Sequence, residues 1–181
     1  MTTTITKYGV KLVKLTHDKI ELVRRWRTDP KIAQYMEYRG EITPEMQEQW
    51  FNKINKSGNN FYFIMEVDGK DIGLINVKNV EWEKKTGETG IFIWDDEYLN
   101  SDYAIRFVMA IHDFSFEELG LESLHGHTLS NNKRANRLNK AMGYVIAQNQ
   151  DNVDNKAYIL MKDDYYKKTS TLRALIAKQY R

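Results

Sequence analysis

Residues 90–104 read GIFIWDDEYLNSDYA, and three patterns meet in this segment. The apolar residues within 88–94 predict a strand, and the polar residues 95–100 predict a loop. Residues 101–119 place apolar side chains on nearly all sides, which predicts a helix packed on more than one face. The amino end of this helix then lies beside the carboxyl end of the strand, where backbone N–H groups and the helix dipole favour a phosphate.

Outward from this segment, strand-like and helix-like patterns follow one another without a visible repeat. Capping residues and prolines mark helix starts, and Asp68-Gly69 is typical of a hairpin turn. The predicted elements are a strand at 10–15, helices opening near Asp18, Pro30 and Pro44, strands at 60–67, 71–80 and 88–94, a helix at 101–119, a strand at 121–129, a helix at 130–142, strands at 144–148 and 157–162, and a helix at 164–180.

This order combines hairpin and crossover connections, so it predicts an α/β protein built on a mixed sheet. A length of 181 residues fits one domain, which we assign to residues 1–181, with residues 163–181 as a helical extension at the carboxyl end. Sequence runs long and apolar enough for a transmembrane helix are absent, and the first residues lack an apolar signal core. A cytoplasmic location is therefore the default expectation.

The composition excludes several classes of protein. The sequence contains no cysteine, so disulfides, thiolate metal sites and a cysteine nucleophile are ruled out. The formal net charge is only +2, with positive and negative residues interspersed, so no nucleic-acid partner is indicated. His125 and His127 share one strand face, but no carboxylate at an obvious ligand spacing joins them, so no metal site is expected.

Several segments resemble the GNAT superfamily of N-acetyltransferases, and the subgroups related to ribosomal-protein and polyamine acetyltransferases in particular. The segments that carry the resemblance are residues 90–98 with Tyr103-Ala104, 114–121 (FSFEELGL), 129–135 (LSNNKRA) and 142–144 (MGY). The amino-terminal half, with 22–30 (LVRRWRTDP), 35–36, 42–43 and 50–51, is similar to acetyltransferases of 4-amino nucleotide sugars. The resemblance covers about residues 10 to 162.

The resemblance implies a predominantly antiparallel sheet that is splayed open between the fourth and fifth predicted strands. It also implies that acetyl-CoA, without a metal, binds in this opening. The implied cofactor-binding residues are Phe92, Ile93 and Trp94 on the fourth strand, Asn100, Ser101, Asp102, Tyr103 and Ala104 at the start of the following helix, and Asn132, Arg134 and Ala135 at the start of the next helix.

Two parts of the sequence depart from the family pattern. The pyrophosphate loop usually reads Tyr-Trp-Gly-Lys-Gly-Tyr-Ala, whereas Asn100 and Asp102 stand here in place of its glycines. A carboxylate at residue 102 repels a pyrophosphate unless it points outward in the first turn of the helix. Many members also use a tyrosine as general acid where this chain has Asn139, which can hydrogen-bond but cannot act as an acid.

Acyl transfer to an amine requires a base, close positioning and stabilisation of the developing oxyanion. By analogy with the family, the base candidate is Glu88, and Asn139 lies on the leaving-group side of the catalytic site. A backbone N–H near Ile93 or Trp94 would polarise the thioester carbonyl. Arg25, Arg27, Tyr35 and Tyr38 are the candidates for binding the acceptor, since arginine suits phosphate recognition.

The implied activity is acetyl transfer from acetyl-CoA to a primary amine, with an amino nucleotide sugar as the leading acceptor. A peptide or ribosomal-protein N-terminus is the alternative acceptor. A non-catalytic GNAT-fold binding module that has lost its pyrophosphate loop is the alternative class of protein. The expected partners are thus acetyl-CoA and a small amine or a peptide N-terminus, with no nucleic acid and no membrane, and a homodimer is left open.

Overall fold

A single eight-stranded sheet forms the centre of the computed structural model, which describes residues 4–99 and 101–179. The spatial order of the strands is β1-β2-β3-β4-β5-β6-β8-β7. The strands are β1 (Thr4–Lys7), β2 (Val10–Lys14), β3 (Phe61–Val67), β4 (Lys70–Glu81), β5 (Thr86–Ile93), β6 (Ser123–Leu129), β7 (Val145–Ile146) and β8 (Asn155–Met161).

Across the residues that the structure describes, seven α-helices connect or cover these strands. They are α1 (Ile20–Thr28), α2 (Pro30–Ala33), α3 (Pro44–Ser57), α4 (Asp96–Leu99), α5 (Tyr103–Asp113), α6 (Lys133–Met142) and α7 (Lys162–Gln179), and a π-helical turn, Phe114–Glu118, continues α5. The predicted caps at Asp29 and Thr43 are confirmed, because Asp29 accepts a hydrogen bond from the Lys31 N–H and Thr43 accepts one from the Met46 N–H. The predicted cap at Asp18 is wrong, because Asp18 lies within a 3-10 turn and α1 begins after Lys19 without a side-chain cap. Within the described ranges, no helix is long and apolar enough to cross a membrane.

The sheet opens at the boundary between β5 and β6. All other neighbouring strands pair in antiparallel fashion, whereas β5 and β6 run parallel and pair only over Thr86–Ser123, Gly87–Leu124 and Glu88–His125. Beyond that point β5 stays with β4 as far as Ile93, and β6 stays with β8 as far as Leu129. The predicted mixed, mostly antiparallel and splayed sheet is therefore confirmed.

Two elements were not anticipated from the pattern. The first is β1, which pairs with β2 through a tight turn in which Tyr8 and Gly9 both have positive φ angles, 57° and 67°. The second is α4, which lies where a polar loop was expected. The Asp95 side chain accepts a hydrogen bond from the Glu97 N–H at 3.1 Å, so these acidic residues cap a short helix instead of remaining irregular.

Side chains on the two faces of the sheet enter two different cores. The larger core lies against α5 and α7 and includes Phe107, Leu124 and Tyr165, together with the half-buried Ile91 of β5. The smaller core lies against α1 and α3 and includes Leu74, with Phe92 packed against it. Because side chains alternate along a strand, Glu88 and Gly90 share the α1–α3 face with Phe92, and Thr89 shares the α5 face with Ile91.

One buried carboxylate ties the two ends of the described chain together. Asp113, at the end of α5, is 1% exposed and forms an ion pair with Lys7 of β1. It accepts hydrogen bonds from the Tyr8 hydroxyl at 2.5 Å and, from α7, from Arg173 at 2.5 Å and the Tyr165 hydroxyl at 2.9 Å. This Asp113 cluster holds β1, α5 and α7 in one arrangement.

The Asp113 cluster predicts a pH-dependent contribution to stability. Burial raises the pKa of Asp113, but the hydrogen bonds from Arg173, Lys7 and Tyr8 together outweigh burial and leave the pKa below its ordinary value of 3.8. A pKa that is lower in the folded state stabilises the protein above the unfolded-state value, and this stabilisation is lost as the pH falls through the folded-state value.

Asp113→Asn should lower the free energy of unfolding by up to about 3 kcal/mol at pH 7, because it leaves the partly buried cations Lys7 and Arg173 without their counter-charge. In urea titrations the difference from wild type should shrink as the pH is lowered below 4. The matched control is Glu117→Gln, which removes a half-exposed carboxylate from the rim of the same cluster and should change little. Equal stability of Asp113→Asn and wild type at pH 7 would contradict this account.

Candidate active site

The unpaired edge of β5 forms one wall of the opening in the sheet. The Trp94 N–H donates to the Ile72 carbonyl of β4 at 3.0 Å. Since backbone groups of successive residues face opposite edges of a strand, the N–H and C=O groups of Ile91 and Ile93 point toward the opening. An extended amide-containing ligand can hydrogen-bond to this edge as an added strand would.

Trp94 supports this wall from behind. Its indole is buried, donates to the Asp71 carbonyl at 3.0 Å, and stacks on Trp26 of α1 with 6.1 Å between ring centroids. Both N–H groups of Trp94 therefore already have partners within the protein. Of the two backbone N–H groups proposed to bind the thioester carbonyl, the geometry therefore favours that of Ile93 over that of Trp94. The half-buried ring of Phe92 packs against the Trp94 indole.

The predicted pyrophosphate segment lies at the start of α5. Asn100 falls outside the described residues. Ser101 Oγ accepts a hydrogen bond from the Tyr103 N–H at 3.3 Å and donates one to the Tyr98 carbonyl at 2.7 Å. Ala104 follows in the first turn, half-buried against the larger core. Ser101 therefore occupies one of the N–H groups that a bound anion would otherwise use.

Arg106 neutralises the charge of Asp102. The Asp102 carboxylate, 56% exposed, accepts a hydrogen bond at 3.0 Å from Arg106, whose side chain is only 3% exposed. The same guanidinium lies 3.9 Å from the centre of the Tyr103 ring, a cation–π arrangement. The Asp102 carboxylate, which replaces a glycine of the family pattern, thus bonds to the buried Arg106 one turn further along the same helix.

The amino end of α6 contributes a second group of predicted binding residues. Asn132 caps this helix, since its side chain accepts a hydrogen bond from the Ala135 N–H at 3.1 Å. Arg134 is exposed in the first turn, so its positive charge and the helix dipole lie at the same end. This end of α6 is therefore suited to an anionic group, whereas the Asn132 amide itself already serves as the cap.

Neutral polar groups line the α5–α6 side of the opening. Asn139 donates to the Thr128 hydroxyl at 3.0 Å. The Tyr144 hydroxyl lies 2.7 Å from Thr89 Oγ1 and 3.2 Å from the buried His112 ring. Burial lowers the pKa of His112 to about 3, although the Asp113 charge acts in the opposite sense, so the imidazole is neutral at pH 7.

Sequence reasoning did not assign a role in the site to Thr89 or Tyr144. The available signal was their position. Thr89 immediately follows the base candidate in the strand, and Tyr144 follows the glycine that ends α6.

Glu88 sits at the last position where β5 and β6 are paired. Its side chain is 26% exposed and lies on the same face as His125, its partner across the strands. One carboxylate oxygen is 3.1 Å from Lys78 Nζ and 3.7 Å from His127 Nδ1, and the other accepts a hydrogen bond from Asn79 at 3.1 Å. The structure thus brings a carboxylate, a lysine, an amide and a histidine together at the apex of the opening.

The histidines do not form part of a metal site in the described residues. His125 and His127 lie on one face, as the alternation predicts. Across residues 4–99 and 101–179, no three histidine, cysteine or acidic side chains form a group that could hold a metal ion.

The four predicted acceptor-binding residues lie on α1 and the segment that follows it. Arg25 is 74% exposed and bonds to Glu21 at 3.0 Å. Arg27 is partly buried and donates to the Tyr38 carbonyl at 3.1 Å. Tyr35 and Tyr38 are large exposed aromatic residues. The structure therefore joins Arg27 to the Tyr38 segment and leaves the Arg25 guanidinium at the surface.

Comparisons with known proteins agree with this geometry. A family model described as an acetyltransferase (GNAT) domain matches residues 10–145. The chain is 24% identical over 154 residues to acetyltransferase PseH of Campylobacter jejuni, an alignment covering 85% of this chain and 92% of that protein. Apo FdhC, a nucleotide-linked sugar GNAT, superposes with a TM-score of 0.78 at 18% identity, with 95% and 97% of the two chains covered.

A further similar structure is spermidine N-acetyltransferase from Vibrio cholerae in complex with CoA and spermine. It gives a TM-score of 0.77 at 20% identity and covers 87% of this chain and 98% of that one. Because the matching family model spans well over half of the sequence, the chain belongs to the GNAT acetyltransferase family. The predicted family is confirmed, and members of this family use acetyl-CoA as the acyl donor.

The Asp102–Arg106 pair gives a prediction about affinity for acetyl-CoA. Asp102→Gly removes a negative charge near the expected pyrophosphate and restores the residue that the family pattern has there. Asp102 makes no side-chain cap hydrogen bond at the start of α5, so the structural loss in this variant is the bond to Arg106. We expect acetyl-CoA to bind about two- to fivefold more tightly, which corresponds to roughly 0.5–1 kcal/mol for one partly exposed charge.

Isothermal calorimetry with acetyl-CoA measures this change directly. The matched control is Asp96→Asn in the neighbouring helix α4, where an exposed carboxylate pairs with Lys31 at 3.1 Å and should leave the affinity unchanged. Weaker binding by Asp102→Gly would show that the carboxylate assists the donor site instead of opposing it.

Proposed function

We propose that this protein transfers the acetyl group of acetyl-CoA to a primary amine on a small molecule, with a nucleotide-linked amino sugar as the leading acceptor. The observation that carries the proposal is the position of Glu88 at the apex of the opening between β5 and β6. The similarity to PseH and to FdhC, the latter described as a nucleotide-linked sugar GNAT, supports the choice of acceptor. The whole chain would act as one acyltransferase domain, with α7 as its extension.

The proposed acetyl transfer uses groups on both sides of the opening between β5 and β6. The amine nitrogen attacks the thioester carbonyl carbon, a new C–N bond forms, and the C–S bond breaks. The N–H groups of Ile91 and Ile93 would hydrogen-bond the donor and its carbonyl oxygen. The proton that the nitrogen loses passes to Glu88.

The leaving sulfur departs as a thiolate and takes a proton from solvent. Asn139, Thr128 and Thr89 supply neutral polar groups on this side, and none of them is an acid. The absence of a tyrosine at residue 139 is therefore compatible with turnover, provided that the thiolate is stabilised by hydrogen bonds until solvent protonates it.

The acceptor would extend from Glu88 toward α1. Arg25 has an exposed guanidinium for the diphosphate of a nucleotide sugar, and Tyr35 and Tyr38 offer exposed rings for a base or a sugar. A peptide or ribosomal-protein N-terminus remains the second acceptor class to test, and a binding module without turnover remains the alternative to an enzyme.

A panel of acceptors tests the proposed function. Calorimetry should show binding of acetyl-CoA, and a coupled thiol assay should show faster release of CoA with a UDP-linked 4-amino sugar than with spermidine or a peptide carrying a free N-terminus. Turnover of the peptide alone would replace the sugar with the second acceptor class. No acetyl-CoA binding at millimolar concentration would contradict the assignment as an enzyme.

Glu88→Gln tests the base. The amide has nearly the same shape but accepts no proton, so kcat should fall by about 10²- to 10³-fold while the affinity for acetyl-CoA stays the same. The control is Glu81→Gln, an exposed carboxylate of β4 that pairs with Lys84. Unchanged kcat, or an unchanged pH–rate profile, would rule Glu88 out as the base.

A further inference from the structure

Asn76 of β4 carries a buried polar atom that the fold does not satisfy. The side chain is 8% exposed, and its Oδ1 atom accepts no hydrogen bond from any residue in the described ranges. Leaving a buried acceptor unpaired costs about 1–3 kcal/mol, and such groups are few in folded proteins. A leucine of similar size would avoid this cost, so packing alone does not explain why residue 76 is an asparagine.

The position of Asn76 supplies that explanation. The register pairs Asn76 with Gly90 and Lys78 with Glu88, so Asn76 and Glu88 are diagonal neighbours on the α1–α3 face. Gly90 lies two residues past the last β5–β6 pair, where the strands have separated. The carboxamide of Asn76 therefore lies beside the proposed base at the apex of the opening.

Gly90 leaves room for this carboxamide on the strand that is expected to hold the donor. A Cβ atom at residue 90 would stand 3.2 Å from Asn76 Nδ2 and 3.4 Å from Oδ1. The amide thus lies across the backbone of β5 itself. On its other side is Tyr62, its partner in β3, whose ring is held edge-on by Trp50 with 5.1 Å between centroids.

Two hydrogen-bond acceptors at this place could orient an attacking amine. A neutral primary amine has two N–H groups and one lone pair, and the lone pair must point at the thioester carbon. Two acceptors that hold the two N–H groups fix the direction of the lone pair. Glu88 is one acceptor, and the unpaired oxygen of Asn76 is the other.

We infer that Asn76 binds the amino group of the acceptor, together with Glu88, and orients its lone pair toward the thioester. The inference rests on the proposed function and adds an acceptor-binding residue to it. It also fits glycine at residue 90, because a Cβ atom there would require the Asn76 amide to shift by a few tenths of an ångström.

Asn76→Leu separates this role from a structural one. If Asn76 orients the amine, kcat/KM for the acceptor should fall about 10- to 100-fold, while the Kd of acetyl-CoA is unchanged and the midpoint of thermal unfolding stays the same or rises. Asn76→Asp, which keeps an acceptor oxygen in this place, should retain more activity than Asn76→Leu. The matched control, Asn52→Leu on the exposed surface of α3, should leave both activity and acetyl-CoA binding unchanged.

The assays use a UDP-linked 4-amino sugar and spermidine as probes. Wild-type kcat/KM in Asn76→Leu, or a lower unfolding midpoint for that variant, would overturn the inference and leave the proposed function standing. Failure of the wild type to bind acetyl-CoA would instead remove the proposed function and, with it, the basis for this inference.

Discussion

The end of the pairing between β5 and β6 is the constraint on which the rest of the molecule depends. These are the only parallel neighbours in the described sheet, and they separate after Glu88 and His125. Unpaired backbone N–H and C=O groups are normally costly when they are not exposed to water or bound. A sheet that keeps such an edge in its middle therefore exposes ready-made hydrogen-bonding groups to a ligand, and the two helices that follow the strands place their amino ends around the same opening.

Most of the fold could be predicted from the sequence because its signals are local. The hairpin turn at Asp68-Gly69, the caps at Asp29 and Thr43 and the alternation of the strands all act within a few residues. The first strand was missed because its hairpin turn depends on positive φ at Tyr8, which a tyrosine rarely adopts. The opening of the sheet was predicted only from the family resemblance, since strand pairing is a long-range property.

The residues of the candidate site likewise fall into some that could be predicted and some that could not. The family resemblance was enough to propose Glu88 and the amino ends of α5 and α6 as site residues. It was not enough to find Asn76, whose importance depends on a register across two strands, or the partner that neutralises Asp102. Arg106 is one helical turn from Asp102, yet its burial beneath Tyr103 depends on how α5 packs against β1. The effect of the unusual Asp102 in this loop therefore depends on a charged partner that only the three-dimensional structure shows.

The Asp113 cluster has a consequence for the cooperativity of folding. In many proteins a terminal strand or helix opens on its own at a small free-energy cost. Here the local opening of α7 would strip Arg173 and Tyr165 from a carboxylate that is still buried against α5, and the opening of β1 would do the same through Lys7 and Tyr8. Amide protons in both peripheral elements should then exchange as slowly as those of the central strands, so that both ends of the described chain belong to the same cooperative unit as the core.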